Sequence, residues 1–301
     1  MLQISEVEYK AILKHHNVSE REFLERVQIL KEWMEKSDLP IEDTLGEKLK
    51  LALINCKLSL EKSKRCIEGY YRIRTLYADF FDRLVPDTED YKQAKRLGKT
   101  VFMPKLTPDL CRIAIFRVDD PNGEANDGLQ YEIVAIMGAE MRIMSGDCAL
   151  TNIIILDFRD FGLKNIIKYT PNVQHKIVNI MIAVNLRIKN IHLVNLPPMI
   201  DKLISLIRAV LPAKFFDKIC FHQNFESLYE YIPKEYLPKD YDGTQSTIDE
   251  LQEMWCAEME KHVDEFKKLV VSAKCPRLLD TKVPGNVQFG TDGSFRQLTL
   301  D

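Results

Sequence analysis

Cys220 and His222, a thiol and an imidazole two residues apart, are the first place in this chain to look for chemistry. On a strand the two side chains would share a face, where an imidazole can activate a thiol as a nucleophile. The plainer reading is a buried thiol and a surface imidazole. Asp157 and Asp160 flank the end of an aliphatic strand, where a carboxylate can serve as a base or a metal ligand. Arg159 stands between them and no histidine is near in sequence, so capping or a salt bridge explains them better. His175, beside Lys176 in a helical stretch, reads as solvated. Larger signatures are missing: there is no Gly-x4-Gly-Lys-Ser/Thr loop, dinucleotide fingerprint, nucleophile elbow, Cys-x2-Cys pair or His-Glu-x2-His helix. Gly138, Gly146 and Gly162 are isolated and read as turns or packing contacts. No enzyme is expected, and no cofactor or metal.

Composition points the same way. With 301 residues and a hydrophobic fraction of 46%, the chain can bury one large domain or two modest ones. A formal net charge of -3 gives no global pull toward nucleic acid or an anionic membrane, so any basic surface must be local. The acidic start, Met1 to Glu8, has no signal-peptide pattern, and no apolar run approaches the roughly 20 residues of a membrane span. Seven cysteines without close pairs suit a reduced, cytoplasmic protein.

The elements that would position any site change period along the chain. Residues 4–110 read as successive helices, with capping boxes at Ser5/Glu8 and Ser19/Glu22 and a further cap at Ser59. Phe23, Val27, Leu30 and Met34 recur at helical spacing, and Leu39-Pro40 ends that helix. Pro86, Pro104 and Pro108 mark a joint. Strands follow at Arg112–Val118, Asn152–Asp157 and Ile191–Asn195. Tyr131–Met144, read as helical although its β-branched residues leave it ambiguous, and a Pro171-started helix to about Val184 alternate with them. That order predicts an α/β domain with a mostly parallel sheet. Met199–Leu211 is a helix too apolar for a solvent face, and Pro212–His222 reads as a second, basic helix. Leu237–Gly243 is a tight turn, and a helix capped near Ser246 runs to about Val271 before a Gly- and Pro-rich tail containing Phe289, Phe295 and Leu298. The expected division is a helical head over 1–85, an α/β domain over 86–245, and a C-terminal helix with docked tail over 246–301.

Three collinear stretches carry a resemblance: Arg187-Ile-Lys-Asn-Ile-His-Leu-Val-Asn-Leu-Pro197, Leu211-Pro-Ala-Lys-Phe-Phe-Asp-Lys-Ile219 with His222, and Leu237-Pro-Lys-Asp-Tyr-Asp-Gly243. Together with Ile153–Asp157, Gly162 and Thr170-Pro171, they make the sequence similar to the CRAL-TRIO family of lipid-carrying proteins, in particular its insect-type relatives of the α-tocopherol transfer protein. The resemblance implies a sheet flooring a hydrophobic cavity under a helical lid at 198–211. Tyr131, Ala135, Gly138, Phe158, Phe161, Ile177, Ile180 and Met181 are expected to line it, with Val184, Ile188, Ile191, Leu203, Leu206, Ile207 and Val210. Ser145, Asn179 and Tyr131 are the polar side chains expected near a ligand headgroup. Arg187, Lys189, Lys214 and Lys218 match the family's basic phosphoinositide sites, and Lys214 and Lys218 share a helical face. Three departures stand out. Asp242 replaces the first of two turn glycines, Asn185-Leu186 replaces an aromatic-Pro pair, and Leu53-Ile-Asn-Cys-Lys-Leu58 has lost two arginines. The implied function is binding and transfer of a small hydrophobic ligand of the tocopherol, retinoid or carotenoid kind by a cytoplasmic monomer that meets anionic membranes peripherally. The alternative is a lipid-responsive regulator or adaptor without net transfer.

Overall fold

Reciprocal capping starts the chain's first two helices. Ser5 and Glu8 cap α1 (Glu6–His15), and Ser19 and Glu22 cap α2 (Glu20–Lys36), each serine accepting from the N3 amide while the glutamate accepts from the cap amide. This is a computed structural model, and it describes residues 4–184, 186–197, 201, 204, 205, 208 and 213–280. Next come α3 (Leu45–Asn55), α4 (Leu60–Leu76) and the short α5 (Ala78–Phe81). Phe23, Leu30 and Met34 of α2 meet Leu49 and Leu53 of α3 and Tyr71 of α4 in one buried cluster. Burial of such side chains is worth about 1.5–3 kcal/mol each, and it fixes the helical head.

The helical reading of 4–110 fails after α6 (Glu89–Leu97), because Gly98–Phe102 is a strand, β1. Five residues are too few for alternation to stand out, and the pairing partner of β1, β2 (Cys111–Val118), lies beyond a loop. The remaining elements are α7 (Leu129–Met144), β3 (Thr151–Asp157), the short α8 (Leu163–Ile166), α9 (Pro171–Val184) and β4 (Ile188–Val194). The α/β class and the mostly parallel sheet hold: with β5 at Ile219–Phe221, strand order is β1-β2-β3-β4-β5, antiparallel between β1 and β2 and parallel thereafter.

The second helix expected over Pro212–His222 is a correction. Only α10 (Ala213–Phe216) is helical, and Ile219–Phe221 forms the edge strand β5, where Ile219 pairs with Ile191. Ile-Cys-Phe suits a strand, and the open edge of β4 recruits it. The helix expected to reach Val271 is divided at His262 into α12 (Ile248–Lys261) and α13 (Val263–Ser272), after a short α11 (Phe225–Tyr229). No proline or glycine signals that break. Asp242 does adopt the left-handed turn geometry, at φ 52°. A Cβ on Gly243 would sit 2.0 Å from the Leu237 carbonyl oxygen, so glycine is required there. Most of the expected lid and the tail with Phe289, Phe295 and Leu298 lie outside the described residues. Among the described residues no helix is long and apolar enough to cross a membrane.

Candidate functional site: an apolar cavity on one face of the sheet

Alternation along each strand sends every second side chain to one face. Ala114 and Phe116 of β2, Ile154 and Leu156 of β3, and Ile191 and Leu193 of β4 face α7 and α9. Ile188 joins them although it lies three residues before Ile191. A bulge permits this: Asn152 pairs with Ile188, but Ile153 pairs with Asn190, leaving Lys189 as an extra residue. On the opposite wall α7 contributes Tyr131, Glu132, Ala135, Ile136, Ala139 and Arg142, a stripe with helical period. Two members of that stripe are alanines, and their short side chains leave space between helix and sheet. The result is a cavity of about 310 Å³ lined almost wholly by carbon. That volume is at the lower end of small-ligand sites.

Most of the predicted wall residues meet here. Tyr131, Ala135, Phe158, Phe161 and Ile177 line the cavity, as do Met181, Val184, Ile188 and Ile191. Gly138 and Ile180 do not. A Cβ on Gly138 would lie 2.5 Å from Cε2 of Phe102, so that ring occupies the space beside the glycine. Ile180 is buried in the packed core with Ile73, Tyr77 and Phe80. Leu203, Leu206, Ile207 and Val210 lie outside the described residues. Sequence reasoning missed Phe116, Leu156, Tyr169 and Leu193, although strand alternation carries the signal for three of them. It also missed Glu132, for which no signal stands out.

The three polar side chains expected near a ligand are all occupied elsewhere. Tyr131 donates to Asp120 Oδ2 at 2.7 Å and accepts from Asn165 Nδ2 at 3.2 Å. Backbone amides of Glu124 and Ala125 together with that tyrosine hold the Asp120 carboxyl below its usual range, against the opposing effect of burial. Asn179 donates to the Tyr77 hydroxyl at 2.7 Å, and Ser145 donates to the Arg142 carbonyl at 3.0 Å.

The candidate catalytic groups resolve into structural ones. Asp157 is buried and accepts from Tyr241 at 2.9 Å, Asn195 at 2.7 Å and the Arg159 amide at 3.0 Å, while Asp160 is exposed. His175 is exposed, as expected. His222 corrects the surface reading: it is 3% exposed, and its two ring nitrogens meet His192 at 2.8 Å and Ser227 at 2.9 Å. Burial, reinforced by the neighbouring His222 and Lys189, lowers the His192 pKa to about 4, and burial lowers that of His222 too. Cys220 is half-buried, 3.7 Å from Asn190 Nδ2, and both nitrogens of its expected imidazole partner are already taken. Among the described residues no group of three His, Cys, Asp or Glu could hold a metal ion.

Of the four basic residues, Lys189 is ion-paired with Asp109 and Lys218 donates to the Ile188 carbonyl. Arg187 Nη1 is buried without a hydrogen-bond partner among the described residues. The Lys214 side chain lies outside what the structure describes.

Comparison with known proteins places these features. The CRAL/TRIO domain family matches residues 98–243, which span β1 to the Asp242–Gly243 turn. An alpha-tocopherol transfer protein-like protein of Homo sapiens is 25% identical over 252 residues, covering 81% of this chain and 72% of that protein. Its Mus musculus counterpart is 23% identical over the same span, covering 81% and 71%. Clavesin-1 of Rattus norvegicus is 25% identical over 183 residues, covering 60% of this chain and 52% of that protein. The sheet, the cavity and the closing turn all fall within the matched segment, so residues 98–243 of this chain match a CRAL/TRIO domain.

Proposed function

We propose that this protein binds one small hydrophobic ligand of the tocopherol, retinoid or carotenoid kind and transfers it between membranes. The observation that carries the reading is the apolar cavity between the sheet and helices α7 and α9. Each methylene moved from water into such a wall gains about 0.8 kcal/mol, so affinity needs few polar contacts. Lipid binding at the level of the family supports the same reading. In it the protein is a monomeric, cytoplasmic, non-enzymatic carrier. The 198–211 segment serves as lid, and Arg187, Lys189, Lys214 and Lys218 meet a phosphoinositide membrane on release. For Lys189 this requires an anionic headgroup to displace Asp109.

The test is cavity filling. Met181→Trp should lower the amount of lipid that co-purifies with the protein, read by native mass spectrometry, while circular dichroism stays unchanged. Equal occupancy in the variant would move the ligand elsewhere, and lipid released chemically altered would contradict a carrier. Vesicle-to-vesicle transfer by the wild type separates a carrier from a lipid-responsive regulator.

A further inference from the structure

Among the described residues five charged side chains line the cavity, and four of them are already paired. Lys99 meets Asp249 at 2.8 Å, Arg117 meets Asp119 at 3.3 Å, Arg142 meets Asp147 at 2.6 Å, and Asp157 accepts from Tyr241 at 2.9 Å. Glu132 is the exception. Its side chain makes no hydrogen bond and no ion pair among the described residues, and it is half-buried on the cavity lining. Arg117 Nε, Arg142 Nη1 and Asn152 Oδ1 also lack partners, but all three atoms are fully buried and out of a ligand's reach. Arg142 belongs to the other end of the cavity, since ten residues of α7, about 15 Å of helix, separate it from Glu132.

Tyr169 stands at the Glu132 end, stacked on Tyr131 with ring centroids 6.0 Å apart. Its hydroxyl makes no hydrogen bond among the described residues, and the nearby Glu132 charge adds to the burial that raises its pKa. Burial alone pushes the Glu132 carboxyl up to about 7, and no charged neighbour contributes. An unpartnered carboxyl in an apolar wall destabilises the fold, and no contact within the described residues offsets that cost. A ligand that supplies a hydrogen bond would.

We propose that Glu132 holds the polar end of the cargo, and that this end is an uncharged hydroxyl whose O–H donates to the Glu132 carboxyl, with the Tyr169 hydroxyl beside it. The proposal rests on the lipid-carrier reading and names the ligand class within it. A carboxyl group accepts from a hydroxyl in both of its protonation states. A fatty-acid carboxylate would place two acids in one low-dielectric site, where one must take up a proton. An amine would bury a full ion pair whose desolvation offsets its attraction. A pure hydrocarbon leaves Glu132 unsatisfied.

The test uses the full chain at pH 7.5 and four matched probes: hexadecan-1-ol, hexadecanoic acid, hexadecylamine and hexadecane. Each is titrated to displace Nile red from the wild type, Glu132→Gln and Glu132→Leu. A hydrogen bond to a charged or half-charged group corresponds to roughly ten- to hundred-fold in affinity. Wild type should therefore prefer the alcohol to the hydrocarbon by about that factor. Glu132→Leu should reduce alcohol binding to the hydrocarbon level while hexadecane binds as before. Glu132→Gln, which keeps an acceptor oxygen, should retain the alcohol and admit the acid. The proposal is overturned if wild type holds hexadecanol no more tightly than hexadecane, if hexadecylamine is the tightest probe, or if Glu132→Leu leaves the alcohol unchanged. Failure of all four probes to displace Nile red from wild type would instead overturn the carrier reading itself.

Discussion

The two faces of the sheet are built from the same strands and come out differently. Behind it, Ile113, Ile115, Ile153 and Ile155 are buried in one cluster with Leu228, Ile232, Leu237 and Tyr241, most with no exposed surface. In front, the alternate residues of those strands face α7, whose alanines stop short of them and leave the cavity. One polar group on each side shows the same contrast. The buried imidazoles behind the sheet are hydrogen-bonded to each other, whereas the Glu132 carboxyl in front has no partner among the described residues. The filled face holds the fold, and the unfilled one is left for binding.

Paired truncations would sharpen that contrast most. Ile155→Ala opens a hole in the packed face and should cost about 2–5 kcal/mol in urea denaturation. Leu156→Ala, its neighbour on the cavity side, should cost at least about 1 kcal/mol less, because its methyl groups already border empty space. Equal losses would mean that the cavity face is packed as tightly as the other.

Acid should reach the back face first. The folded pKa of His192 lies below its ordinary value, so the unfolded chain binds more protons as pH falls. Stability is then whole above pH 6.5 and is lost as pH drops toward 4, by about 2–3 kcal/mol. His192→Gln should flatten that slope in chemical denaturation across pH, and an unchanged slope would remove the pair as its cause.

Glu132 predicts an effect of similar size and opposite sign. Its folded pKa lies above its ordinary value, so its burial costs little below pH 4.5 and progressively more as pH rises to about 7. Glu132→Gln should raise stability by about 2–3 kcal/mol at pH 8 and by almost nothing at pH 4.5. A uniform gain at both values would show that the carboxyl is not held away from water.

Much of this was legible in the sequence, for identifiable reasons. Capping boxes and apolar spacing gave the helices of the head, and aliphatic runs between helical stretches gave the parallel strands. β1 was hidden by its brevity, and β5 by the basic residues around it. The break at His262 has no turn residue to mark it. The family resemblance put Ile191 on the cavity wall, but periodicity could not tell that Phe102 fills the space beside Gly138. Glu132, fourth in its helix, sits where the helix dipole favours an acid, so nothing distinguished it from an ordinary first-turn glutamate. The Lys189–Asp109 pair joins residues 80 positions apart, beyond any local pattern.

The extra residue in β4 bears on how chains of this kind can vary in length. Lys189 occupies the bulge and points to solvent, while Ile188 before it and Ile191 beyond it both keep to the cavity side. Removing that one residue would bring Ile188 directly before Asn190, where ordinary alternation already turns it the same way. A one-residue gap at this point is therefore silent for the wall. Related chains can differ there in length and still present the same side chains to what they carry.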